Sequence, residues 1–126
     1  MVCSRRVVAS AFARIIAEKN GTGVYYFRST NGGLNWEPGK LLYANADASA
    51  RMAVDGTTVH VCFGAKLTLN SFGGRSSYMR STDNGQTWND PVFIGEDSPE
   101  SNIQARQQIA AADGHIFAMW QRERNG

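Results

Sequence analysis

This sequence has little of what marks a metal site, a nucleic-acid surface or a membrane span. It holds two cysteines in 126 residues, Cys3 and Cys62. They stand 59 positions apart, with no metal-ligand spacing around them. No metal is implied, no cofactor motif occurs, and the cysteines are open to pairing or to remaining thiols. The net charge is only +2, and no basic run or RNA-binding aromatic motif accompanies it, which argues against nucleic acid as a partner. No apolar run approaches the length of a membrane helix. Sustained helical periodicity is missing too, although "SNIQARQQIAAA" (Ser101 to Ala112) has the outline of a short helix. What remains is an ordinary globular composition, 42% apolar and 19% charged, at a length suited to one domain.

The N-terminal "RRVVASAFA" (Arg5 to Ala13) has the outline of a signal peptide, two arginines before an apolar run and an A-x-A-like end. The run is short and alternates like a strand, and the strand reading is preferred.

The chain repeats itself. "STNGGLNW" (29–36) returns as "STDNGQTW" (81–88), a shift of 52. Over 36 ungapped positions, residues 7–42 on 59–94, nine are identical, including Tyr26/Tyr78, Arg28/Arg80 and Trp36/Trp88. Composition alone gives about two or three. A second echo, at a shift of 57, lays "MAVDGTTVHVCF" (Met52 to Phe63) over "IAAADGHIFAMW" (Ile109 to Trp120). That match turns Ser101–Ala112 toward a strand. A unit of about fifty residues is the size of one four-stranded propeller blade.

One unit reads as four strands: Met52–Val54, Thr58–Phe63, Ser76–Arg80 and Pro91–Ile94. Asp55-Gly56 supplies the first hairpin turn. The same order makes residues 6–12, 24–28 and 39–43 the second to fourth strands of an earlier unit. It makes 107–112 and 115–120 the first two of a later one, nine strands in all. The chain then divides into the end of one blade (1–43), a full blade (51–94) and the start of the next (107–126).

The repeated octapeptide is a turn with physical requirements. Ser81 and Asp83 are placed to bond local backbone amides. Gly85 supplies a positive φ, and Trp88 covers the hairpin while its indole N–H seeks a carbonyl. Ser29, Asn31, Gly33 and Trp36 repeat the pattern with an uncharged side chain at the second position. Both tryptophans are expected to be largely buried.

"STDNGQTW" matches the Asp-box (BNR) pattern Ser-x-Asp-x-Gly-x-Thr-Trp at every defined position. Through it the chain resembles the sialidase superfamily. The resemblance implies an all-β fold, an incomplete β-propeller of sialidase type with about two and a quarter four-stranded antiparallel blades. It makes the Asp-boxes structural, on the face opposite the substrate pocket. The pocket face would carry the connections between second and third strands, and Arg14, Glu18, Arg122 and Glu123 are the candidate ligand-face residues there. Sialidases use an arginine cluster on the substrate carboxylate, suited by bidentate guanidinium geometry. They add a tyrosine nucleophile, its glutamate and an acid/base aspartate. The family's Phe/Tyr-Arg-Ile-Pro motif does not occur, and no catalytic residue is assigned. The resemblance further implies a glycan partner, such as a sialoside, and an extracellular or cell-surface location. It leaves the remainder of a longer propeller, or self-association through open blade edges, as partners. The alternative is a non-catalytic propeller that binds protein or carbohydrate.

Overall fold

The computed structural model describes residues 2–8, 11–17, 23–66, 75–94 and 102–124. Its regular elements are ten strands: β1 (Val2–Val8), β2 (Ala11–Ala17), β3 (Val24–Ser29), β4 (Lys40–Tyr43), β5 (Ala46–Asp55), β6 (Thr58–Ala65), β7 (Arg75–Ser81), β8 (Val92–Phe93), β9 (Asn102–Ala112) and β10 (His115–Arg124). They form two four-stranded antiparallel sheets, β1-β2-β3-β4 and β5-β6-β7-β8, and a two-stranded one, β9-β10. Each sheet is a meander of neighbours in sequence, consistent with blades of a partial propeller. Within the Ser101–Ala112 segment, Asn102–Ala112 is strand, in line with its match to Met52.

The first unit differs from the expectation. Residues 6–12 are not one strand but the end of β1 and the start of β2, paired through Val7↔Phe12 and Val8↔Ala11. The reason lies in the register. Ser29 and Ser81 are equivalent, and they face Phe12 and Val59, so β2 and β6 are related by a shift of 47 rather than 52. The second strand of the first unit therefore lies five positions later than an ungapped match places it. Between equivalent ladder pairs of its second and third strands the second unit holds five more residues: 65–75 between Gly64 and Ser76, against 18–23 between Ala17 and Val24.

Alternation assigns the faces. On the second sheet Met52, Val54, Val61, Phe63 and Met79 point one way and meet Val24 and Tyr26 of the first sheet in a single apolar cluster. Tyr43 packs on Phe63 with ring centroids 5.2 Å apart. Full burial of a side chain such as Phe63 contributes about 2 kcal/mol. The other face of the second sheet carries Asp55, His60, Ser76, Tyr78 and Arg80. The third pair seats on it. The Gly114 amide donates to Asp55 Oδ2 at 2.8 Å, and Gln107 Nε2 donates to Ser76 Oγ at 3.3 Å.

Candidate functional site

The second octapeptide turn closes β7 with a dense set of local bonds. Ser81 Oγ donates to Asp83 Oδ1 at 2.7 Å and accepts from the Gly85 amide at 2.8 Å. Asp83 Oδ1 also accepts from the amides of Gln86 (3.1 Å) and Thr87 (2.8 Å). Its Oδ2 accepts from Thr87 Oγ1 at 2.6 Å. Asn84 and Gly85 take positive φ, 59° and 82°. Trp88 folds over the turn and donates its indole N–H to Gly85 O at 3.1 Å. The carboxylate of Asp83 accepts four hydrogen bonds from within its own turn, as a fold-forming group does.

The first turn is the same construction with fewer bonds. Ser29 Oγ accepts from Gly33 N (2.9 Å), Asn31 Oδ1 accepts from Asn35 N (2.9 Å), and Trp36 Nε1 donates to Gly33 O (3.1 Å). Asn35 stands where Thr87 does, so the hydroxyl-to-carboxylate bond has no counterpart. One expectation fails here. Trp36 is 37% exposed, whereas Trp88 is partly covered by an edge contact from Tyr26, centroids 5.1 Å apart. The second tryptophan gains a neighbour from the adjoining sheet.

Asp83 titrates well below the usual carboxylate range, first because Thr87 bonds it with hydroxyl and amide and then because Ser81 does. A depressed carboxylate stabilises the fold above its unfolded pKa, and that contribution fades as pH falls. We expect the melting temperature of the native chain to drop more steeply than that of Asp83→Asn below about pH 4. Thermal melts in acid check this. Parallel curves would show that the carboxylate is not ionised against the turn.

The turn also fastens the two sheets. Asn84 O accepts from Tyr26 OH (3.2 Å) and from Arg28 Nη1 (3.3 Å). Lys40 Nζ donates to Gln86 O. Arg28 is gripped by Glu37 in a fork, Nε–Oε2 and Nη2–Oε1 both 2.9 Å. That pairing lowers the Glu37 pKa and raises that of Arg28. Tyr26, Arg28, Glu37, Lys40 and Gln86, with Pro38 and Gly85, line a cavity of about 220 Å³ at the seam. Its charges are matched to each other or to carbonyls. Burial pushes the Tyr26 phenol up to about 12, so it is neutral at physiological pH. The bonds to Asn84 O and Gln86 O join the two sheets across the seam.

The sequence alone did not single out this cluster. Its trace was the recurrence of Tyr-x-Arg-Ser-Thr at 26–30 and 78–82. Of the ligand-face candidates, Arg14 lies in β2, and Arg122 and Glu123 lie in β10, in strands rather than in the expected connections. The strands run further than the sequence indicated. Glu18 lies outside the described residues. Among the described residues no three of His, Cys, Asp and Glu gather as metal ligands would.

Residues 79–90, covering the second turn, match the family model of the BNR/Asp-box repeat. No curated protein matches the chain.

Proposed function

We propose that this BNR/Asp-box repeat protein is a sector of a sialidase-like propeller that binds glycan at the end of its sheets opposite the Asp-boxes. One observation carries the reading: both boxes spend their polar groups on their own turns, and the second also on the sheet-to-sheet seam. That end is committed to holding the fold. In an antiparallel meander the connections β2–β3 and β6–β7 leave from the other end, and loops held on a rigid scaffold are where binding groups concentrate. The candidates from the sequence are Arg14 of β2, Glu18, which follows β2 in sequence, and Arg122 and Glu123 late in β10. Arginine is the residue type that suits a carboxylated sugar. An extracellular or cell-surface setting fits such a partner.

Hydrolysis is the second reading, and it would belong to a complete ring. Acyl or glycosyl chemistry needs its groups held within about 0.5 Å of productive geometry. Two sheets and a strand pair supply only part of such a frame. The 126-residue chain is therefore expected to show no turnover of a fluorogenic sialoside, and weak saturable binding of sialylated glycan reduced by Arg14→Ala or Arg122→Ala. Turnover above a heat-killed control, abolished by either variant, would make the chain itself catalytic. Absence of binding to any sialylated or neutral glycan on an array would overturn the glycan reading.

A further inference from the structure

Each octapeptide turn contains an asparagine followed by glycine, one step apart in frame. Asn31-Gly32 fills the third and fourth places of the first turn, and Asn84-Gly85 the fourth and fifth of the second. Such a pair carries the means of its own conversion. The amide nitrogen of the following residue can close on the asparagine side-chain carbonyl carbon, and glycine puts no Cβ in the way. This chemistry is one reason asparagine is a thermolabile residue. By sequence the two pairs are equally reactive. Their surroundings are not alike.

At the second turn the attacking group is already engaged. Gly85 is buried, and its amide donates to Ser81 Oγ at 2.8 Å. The Tyr26 ring lies where a Cβ on Gly85 would run into it, and Asn84 O is held by Tyr26 and Arg28. Ring closure there would have to break the amide bond inside a pinned segment. At the first turn Asn31 and Gly32 are both exposed, and Gly32 has a φ of 73°. The Gly32 amide makes no hydrogen bond among the described residues.

The turn also prepares the carbon that would be attacked. Asn31 Oδ1 accepts from Ser29 Oγ at 3.0 Å and from Asn35 N at 2.9 Å. Both donors polarise the carbonyl and meet the negative charge that gathers on Oδ1 as the ring closes. The leaving group, Nδ2, has no partner among the described residues, on a side chain that faces water.

We propose that Asn31-Gly32 is a self-modification site, at which the folded chain converts its own asparagine to aspartate and isoaspartate. The Gly32 amide gives its proton to hydroxide, and its nitrogen bonds to Asn31 Cγ. The Cγ–Nδ2 bond breaks, and the side-chain nitrogen leaves as ammonia with a proton from water. A second water then opens the cyclic imide. Addition at Cγ restores the main chain with an aspartate at position 31, a carboxylate where the second turn has Asp83. Addition at the main-chain carbonyl carbon of position 31 gives isoaspartate. The carbonyl that held Asn35 N then passes into a main chain longer by a methylene, and the turn loosens. The inference is independent of the glycan reading.

The test incubates the intact chain at mildly alkaline pH, where more of the attacking amide is ionised, and maps its peptides by mass spectrometry. Trypsin leaves the two pairs in separate peptides, 29–40 and 81–106. Asn20-Gly21 and Asn125-Gly126, outside the described residues, fall in others. The mass gain of amide-to-acid conversion should appear at Asn31 at least about tenfold faster than at Asn84, the difference expected from one engaged, buried amide. Both aspartyl and isoaspartyl forms should elute. In concentrated urea the two rates should converge, because the local chemistry is the same. Asn31→Gln, which would have to close a larger ring, should remove the change from 29–40 and leave the rate at Asn84 as it was. Equal native rates, faster conversion at Asn84, or a native Asn31 that persists while the unfolded chain converts would overturn the site. Aspartate without isoaspartate would overturn the cyclic route.

Discussion

Replacing Gly85 by alanine should lower stability by about 2–4 kcal/mol, against about 1 kcal/mol for Gly33→Ala. Both glycines sit at the same place in their turns, with φ of 82° and 88°. The backbone strain of an added methyl is therefore shared. What differs is the space. At Gly33 a Cβ meets nothing closer than the Trp36 ring at 3.9 Å, while at Gly85 it meets the Tyr26 ring head-on. Relief there would require Tyr26 to leave Asn84 O and Trp88 together. Urea unfolding of the two variants side by side measures the difference. Equal losses would mean that the second turn does not carry the seam.

Tyr26 itself should give the second large effect, and its sign should depend on pH. Tyr26→Ala removes a ring that is only 4% exposed and touches Trp88; truncations of this size cost about 3–5 kcal/mol. Tyr26→Phe keeps the ring and loses one hydrogen bond, about 1 kcal/mol near neutrality. Burial chiefly raises the phenol pKa to about 12, with the Arg28 guanidinium opposing and Glu37 adding to it. The native state therefore holds a proton that the unfolded chain begins to lose near its ordinary value of 10.0. Stability attached to that proton is intact below this point and drains away as pH rises to about 12, about 2 kcal/mol in all. The wild-type and Tyr26→Phe curves should cross in this window. Urea midpoints measured from neutral to strongly alkaline pH decide it, and parallel curves would mean that the hydroxyl is hydrated.

How legible this was in the sequence differs by element. Asp55-Gly56 and Asp113-Gly114 announce their hairpins, and the strands beside them were found. In sequence Ala9-Ser10 stands between the paired residues Val8 and Ala11, and a dipeptide without that preference leaves residues 6–12 reading as one strand. The turn chemistry of Ser81, Asp83, Gly85 and Trp88 was readable because every partner lies within four residues. The seam was not, since Tyr26 and Asn84 are 58 positions apart and a contact at that range leaves no local pattern. The unequal covering of Trp36 and Trp88 follows from the same hidden contact. Their octapeptides are nearly alike, and their neighbours are not.

The two spacings between equivalent ladder pairs of the second and third strands, 18–23 and 65–75, bear on how such a chain can change over evolutionary time. Loop-closure entropy grows only with the logarithm of length, so the longer connection costs about 0.5 kcal/mol more than the shorter. At the opposite end a single methyl at Gly85 is expected to cost several times that. Insertions and deletions are thus cheap at one rim and prohibitive at the other. A lineage of such chains could vary the connections at that rim by length alone while the fastening rim keeps its eight-residue spelling.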